Sequence, residues 1–425
     1  MPALKNYMKF NKKGVLLSVS LSLSLCSLLK GQGTDIPGQI RSRLNAYLAD
    51  YPREEIFIHS DRDEYIAGED IWFNIYLIDR QTSKPSSHSN IAYFEILNSE
   101  NRPVVQKRIR IEDGFGPGQG VIPDTLSSGV YTIRAYTSWM KNFMPQNCFS
   151  GEIKIYNALN NSSFKETKPF SGNLASSAGS GSVTGVTSLR VSMQANNDRP
   201  DNLIVRITSD DSWRKENNNR FYLLVQTHGV INYLHEQIVS EQRADIAISK
   251  TLLMPGINQV VLLNAKGQPV SEKYIYTPPA DVQAAVLTAG ESFDQRSQVS
   301  VELDFSKMSS GTKGLSNISV AVAPAAGSSN MQELSDYLVF GSEFGAAPWH
   351  FLNGRKLSDL GRNSIDSLLP YLGSNWIDWR KLMSGVNPDI VFPAEEKDHI
   401  ITGRLLSNGG PKVEAGEFVT LSKPG

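Results

Sequence analysis

Cysteine is nearly absent from this chain: 425 residues hold two, Cys26 and Cys148. If the first leaves with an N-terminal leader, no intrachain disulfide can form, and an exported chain without staples must rely on its cores. Long apolar runs are missing as well. The run from Val15 to Leu29 is diluted by serine and falls short of the roughly 20 apolar residues that span a bilayer, and no later segment approaches that length. Histidine is sparse, with six residues, and none stands in a His-Glu-x-x-His pattern. One remaining cysteine cannot build a thiolate zinc site, so zinc chemistry is not expected.

Other chemical motifs fail on inspection. Gly181-Ser182-Val183-Thr184-Gly185 and Gly341-Ser342-Glu343-Phe344-Gly345 place Val and Glu where a nucleophile-elbow serine would stand. Ser162-x-x-Lys165 and Ser310-x-x-Lys313 lack the companion motifs that give Ser-x-x-Lys its meaning. Gly114, Gly116, Gly118 and Gly120 have no strand-glycine-helix order around them, so they fit a loose hairpin loop better than a phosphate cradle. The pairs Glu69-Asp70, Asp210-Asp211 and Glu395-Glu396 would point to opposite faces of a strand. His59, Asp61 and Asp63 alternate and would share one face, but Tyr65 and Ile66 stand where a calcium loop needs an oxygen ligand and a glycine. The competing readings there are a solvated face or an Asp-Arg pair bracing a turn. No catalytic residue, metal or cofactor is expected.

What is present begins with Lys5, Lys9, Lys12 and Lys13, an apolar core and small residues near Gly31 and Gly33, the order of a secretory signal over residues 1–33. Leu23-Ser24-Leu25-Cys26 resembles a lipobox with Leu25 where a small residue belongs, and the alternative is a thiol discarded with the leader. Five lysines leave with the leader, so 42 basic residues become 37 against 43 acidic, a charge of about −6. That balance disfavours nucleic acid or anionic lipid as the main partner. The chain that remains suffices for roughly three or four domains.

Within 34–53, Ile40, Leu44, Tyr47 and Leu48 recur at helical spacing until Pro52, which predicts one short helix. From Ile56 the period becomes two, through Ile71, Phe73, Ile75, Leu77, then Tyr93, Glu95, Leu97, then Tyr131, Ile133, Ala135, with turn clusters between, predicting a β-sandwich over 54–156. Residues 157–187, rich in Ser, Gly and Asn, read as a flexible linker. A second sandwich is expected over 188–279 and a third β segment over 280–330. Residues 331–398 read as a helical or irregular insertion, with Leu334, Tyr337, Leu338 and Ile365, Leu368, Leu369 at helical spacing. A new β unit starts in 399–425 and stops before it could close, as expected of the N-terminal part of a longer protein. The fold class is mainly β, with tandem immunoglobulin-like sandwiches.

The stretch Ile58-His59-Ser60-Asp61-Arg62-Asp63-Glu64-Tyr65-Ile66-Ala67-Gly68-Glu69-Asp70-Ile71-Trp72-Phe73 resembles the opening of the second macroglobulin domain of the α-macroglobulin superfamily, with Ala67 where Pro is usual. Ser128-Gly129-Val130-Tyr131-Thr132-Ile133-Arg134-Ala135-Tyr136-Thr137 resembles the strand that closes that domain. Ser138 to Phe143, Met254 to Val260, and the end segments Ile401 to Leu405, Gly409-Gly410-Pro411 and Val419-Thr420-Leu421 resemble exported Gram-negative proteins joining macroglobulin-like domains to a carboxypeptidase-regulatory-like domain. Some of these carry a plug domain of TonB-dependent receptors. Trp376, Trp379 and Arg380 loosely echo a Trp-Arg-rich segment of that group.

The resemblance implies adhesive β modules at the outer membrane or in the periplasm, with a protein partner there and membrane association through that partner or a following region. It implies no reaction. The thioester loop of α-macroglobulins is absent, since Cys148 sits in Gln146-Asn147-Cys148-Phe149. Trp139, Met140 and Phe143 could form a partner-binding patch or pack at the sandwich end. Exposed Trp72, Trp139 or Trp213 would suit a carbohydrate-binding module, and a hydrolase would need acids converging from distant segments. Asp124-Thr125-Leu126 and Asp366-Ser367-Leu368 fit a short sequon for O-glycosylation at Thr125 and Ser367, against coincidence as the alternative.

Overall fold

The structure, a computed structural model, describes residues 35–159, 190–279, 286–290, 294, 296–306, 317–321 and 332–397. The leader with Cys26, nearly all of the expected linker and the 399–425 stretch lie outside the described residues. The chain forms two compact units, each assembled from separated segments: 53–177, 281–360 and 388–425 in one, and 1–52, 178–280 and 361–387 in the other.

Helix α1 (Ile36–Asp50) begins where Asp35 accepts the Gly38 N–H at 3.0 Å. Pro37 occupies its first turn, where no backbone donor is needed. Ile36, Ile40, Leu44 and Leu48 make one buried stripe at a spacing of four. The chain leaves the helix before Pro52.

The first sandwich uses β1 (Glu54–Ser60), β2 (Glu64–Ile66), β3 (Asp70–Asp79), β4 (Lys84–Pro85), β5 (Ile91–Leu97), β6 (Pro103–Arg110), β7 (Phe115–Val121), β8 (Gly129–Thr137) and β9 (Phe149–Tyr156). One sheet places β3 between β1 and β7, with β4 beside its end, and the other has the order β2-β9-β8-β5-β6. All pairs are antiparallel except β2 with β9. Ile71, Phe73, Ile75 and Leu77 point inward from β3 and meet Phe94, Ile96, Ile133 and Ile155 of the other sheet. Phe73 and Phe94 stack at 3.9 Å between ring centroids.

Two expectations change here. The glycine run is no loop: Gly116, Gly118 and Gly120 lie on β7, in register with Ile75, Phe73 and Ile71. A Cβ on Gly118 would stand 2.5 Å from the Phe73 ring of the neighbouring strand and 2.9 Å from Ile109 of the other sheet, so glycine leaves the room that both side chains fill. On β5 the inward residues are Ala92, Phe94 and Ile96, one step away from the Tyr93, Glu95, Leu97 alternation. Glu95 instead faces an outer ladder, where Gln106 (2.8 Å), Tyr136 (3.0 Å) and Arg134 (2.6 Å) satisfy its carboxylate.

The second sandwich uses β10 (Val191–Asn196), β11 (Asn202–Ser209), β12 (Arg220–Thr227), β13 (Val230–Ile238), β14 (Arg243–Ser249), β15 (Gly256–Leu263) and β16 (Pro269–Thr277). Its sheets have the orders β10-β11-β14 and β13-β12-β15-β16. The larger sheet is covered on both faces. Phe221, Leu223, Val225, Val260 and Leu262 face the smaller sheet. Tyr222, Leu224, Val261 and Leu263 face α1 together with Trp376, Trp379 and Leu382. Burial on both sides explains why the end of β15 at residues 260–263 reads as a continuous apolar run rather than an alternating one.

Of the expected third β segment, the described residues include β17 (Val286–Ala289) paired antiparallel with β18 (Val301–Asp304). The 331–398 insertion is helical, with helices Leu334–Phe340, Ala347–Leu352, Arg362–Leu368 and Trp379–Ser384. Its first part belongs to the first sandwich's unit and residues 361–387 to the second's. Among the described residues no helix is long and apolar enough to cross a membrane.

Candidate functional site

The turn singled out for its acids is a brace. Asp61 Oδ1 accepts from the Trp72 N–H at 3.0 Å and lies 2.7 Å from the Tyr65 hydroxyl. Arg62 bridges Asp61 at 3.2 Å and Glu69 at 3.3 Å, with its guanidinium 4.9 Å above the Tyr65 ring. Burial and the Asp61 carboxylate hold the Tyr65 phenol far above its ordinary value. Glu69 also accepts from the Ile66 N–H at 2.8 Å, closing the Ala67-Gly68 turn. His59 and Asp63 do not join Asp61: His59 Nδ1 lies 2.5 Å from Ser319 Oγ, and the Asp63 carbonyl accepts from Lys154 N–H. Among the described residues no three His, Cys, Asp or Glu side chains are grouped to hold a cation.

Adjacent carboxylates at the start of β1 point to opposite sides and meet opposite environments. Glu54 is buried among hydroxyls, accepting from Thr137 (2.7 Å), Ser89 (2.8 Å) and Ser86 (3.1 Å). Burial pushes its carboxyl above the ordinary range, against the pull of those three bonds. Glu55 pairs with Arg53 at 2.9 Å and accepts from the Ser342 N–H at 2.9 Å and the Tyr337 hydroxyl at 3.2 Å. Burial opposes its charge, yet the Arg53 and Arg80 guanidiniums hold its carboxyl below the ordinary range.

Arg80 completes this buried group. It pairs with Glu343 at 3.1 Å and donates to the carbonyls of Leu338, Val339 and Phe340, the open C-terminal end of helix Leu334–Phe340. Gly341 ends that helix at φ 58°, close against Glu55 and Arg80. Sequence reasoning missed these four charges. The available signal was Arg53-Glu54-Glu55 opening a strand, but Tyr337, Ser342 and Glu343, which complete the group, stand more than 250 positions away.

The second unit carries a comparable polar lock. Gln259 Oε1 accepts from Trp379 Nε1 (2.8 Å) and Gln226 (2.7 Å), and Gln259 donates to Glu272 at 2.8 Å. Burial raises the Glu272 carboxyl, and the Tyr274 hydroxyl bonds it. Tyr274 in turn accepts from the Ser374 N–H at 2.9 Å. Trp376 and Trp379 thus anchor residues 374–384 to this sandwich.

The chain covers most of the aromatic patch foreseen for a partner. Trp139 and Met140 are 7% and 0% exposed, with the His88 ring edge-on to Trp139, and Phe143 is half-buried. These residues pack at the end of the first sandwich, because Met140 reaches its core. Trp213 is buried by stacking on Phe221 at 4.5 Å. Trp72 stays open at 55% exposure, on the outer face of β3 opposite Gln119. Thr125 is exposed between β7 and β8, and Ser367 is exposed on the helix Arg362–Leu368, donating to the Ser364 carbonyl. Burial raises the Cys148 thiol to about 11, far from a reactive thiolate.

No family model and no curated protein matches this chain. Among solved structures it is similar to Salmonella alpha-2-macroglobulin reacted with methylamine, at 13% identity over 59% of this chain and 16% of that one, with a TM-score of 0.22. The native conformation of Escherichia coli alpha-2-macroglobulin is similar at 14% identity, with the same coverage and a TM-score of 0.21. A Listeria innocua beta-glucosidase is similar at 12% over 25% of this chain and 16% of its own, with a TM-score of 0.18. The chain therefore spans under a fifth of the length of each, and likeness at this level fixes neither family nor function.

Proposed function

We propose that this chain is a non-catalytic cell-envelope protein whose tandem β-sandwich modules hold a protein partner. The observation that carries the reading is how its clustered polar side chains are spent. Arg53, Glu55, Arg80 and Glu343 are locked together in one unit, Gln226, Gln259, Glu272 and Trp379 in the other, and each group fastens a helical segment to a sandwich. Surfaces left for recognition are sheet edges and faces, which suit binding of an extended segment.

The basic, apolar, small-residue leader supports export, and with it a place in the periplasm or at the outer membrane. In this reading the modules serve TonB-dependent transport or outer-membrane assembly, and the regulatory-like stretch after 399 continues the series. Affinity capture from detergent-solubilised envelope, with the chain at native abundance, tests it. Stoichiometric recovery of an outer-membrane or periplasmic protein is expected, and recovery of none would sink the reading.

Exposure of Trp72 favours a second reading, a carbohydrate-binding surface on the outer face of β3, where an indole could stack on a sugar ring. A glycan array with wild-type chain and Trp72→Ala separates the two: binding lost in the variant supports it, and an array without binders removes it.

A further inference from the structure

The two sheets of the second sandwich are unequal in width. They have three and four strands, and β10 lies against β16 at one side. In an aligned sandwich β11 then faces β15 and β14 faces β12, so among the described residues nothing lies opposite β13. The inward positions of β13 reflect this. Tyr233, His235 and Gln237 stand beside the core residues Val225, Leu223 and Phe221 of β12, yet they are polar, with Gln237 donating to the Tyr233 hydroxyl at 3.0 Å.

The rim of that gap is the free edge of β14. Lys250 N–H donates to the Asp201 carbonyl and Ser209 N–H to the Gln242 carbonyl, and both bonds continue the β11–β14 register. In an antiparallel ladder bonded pairs alternate, so Ala244, Ile246 and Ile248 bond to β11, while Arg243, Asp245, Ala247 and Ser249 turn their N–H and C=O groups outward. No described residue makes a backbone hydrogen bond to those outward groups. Exposed edges are ordinarily blunted by proline or charge, as β6 is by Pro103 and Lys107. β14 has no proline, and its two charges are tied up in ion pairs: Asp245 pairs with Arg206 at 2.7 Å and Arg243 at 3.5 Å. Its inward Ala244 and Ile246 are only half-buried.

We propose that β14 is a strand-addition site, where an extended segment of a protein partner pairs along Arg243–Ser249 as the fourth strand of this sheet. The unpaired main-chain groups call for an extended polypeptide. Alternate inward side chains of that segment are small and apolar, lying beside Ala244 and Ile246 and over the Tyr233 ring. This rests on the binding-module reading above and names the edge that does the binding.

Hydrogen exchange on the full chain tests the premise: Arg243, Asp245, Ala247 and Ser249 amides exchange fast, and Ala244, Ile246 and Ile248 are protected. Selection from a displayed library of random dodecapeptides tests the site. Peptides with alternating apolar residues are expected, protecting the four fast amides, with affinity about tenfold weaker for Ala247→Pro, which removes one outward donor. Thermal unfolding confirms that the variant is folded, and Ala247→Lys, which blocks the edge by charge, should weaken the same peptides. Three results overturn the proposal: outward amides already protected in dilute chain, protection rising with chain concentration alone (a second copy on the edge), or peptides that bind both variants undiminished. An envelope partner captured equally by Ala247→Pro would leave the binding-module reading standing and remove only this edge.

Discussion

At the scale of single residues, Glu54 and Glu55 show how one strand gives neighbouring carboxyls opposite characters. The folded Glu54 pKa is raised by burial, so its contribution is fully present below the ordinary carboxyl range and is lost as pH rises through the raised value. Glu54→Gln should therefore gain stability relative to wild type as pH goes from 4 to 8, read from thermal midpoints across that range. Glu55 has the reverse sign. Its pKa is lowered by Arg53 and Arg80 against burial, so its contribution is present above the ordinary range and lost as pH falls through the lowered value. Glu55→Ala removes the buried carboxylate paired with Arg53 and should cost about 3 to 5 kcal/mol in urea unfolding at pH 7. Neither character was legible in the sequence, because Thr137, Ser89, Ser342 and Arg80 reach these groups only through the fold.

Among the elements, β7 and α1 mark what local pattern can and cannot say. The stripe on α1 was readable because Ile40, Leu44 and Leu48 lie within three turns and Pro52 bounds them. Asp35→Ala should cost about 1 kcal/mol by removing the cap on Gly38, measurable as a lower urea midpoint. The glycines of β7 misled, since glycine is a weak strand residue and nothing local reveals that Phe73 fills the space a side chain would take. Gly118→Ala should destabilise by about 1 to 3 kcal/mol through overpacking against that ring, which chemical denaturation would register. A wild-type midpoint in this variant would show that the sheets part more easily than the 3.9 Å stack of Phe73 on Phe94 implies.

Taken whole, the molecule is two units built from interrupted chain. The second sandwich depends on α1 before it and on residues 361–387 after it, which cover Tyr222, Leu224, Val261 and Leu263. A fragment of residues 190–279 should therefore expose that face, bind a hydrophobic dye and melt without cooperativity, whereas coexpression with 35–52 and 361–387 should restore a sharp transition. A cooperative, dye-silent fragment would show that the covering helices are dispensable.

The sequence by itself determined the β class, the two sandwiches, the short helix and the break in the β rhythm at the insertion, which it left as helical or irregular. Each is a matter of period, and period is a property of neighbouring residues. Tertiary structure alone decided which sandwich each part of the insertion completes, that Trp139 and Trp213 are core while Trp72 is open, and that no described residue pairs with the outer edge of β14. Those outcomes depend on burial and on strand order, which bring together residues far apart in the chain and which no local pattern encodes.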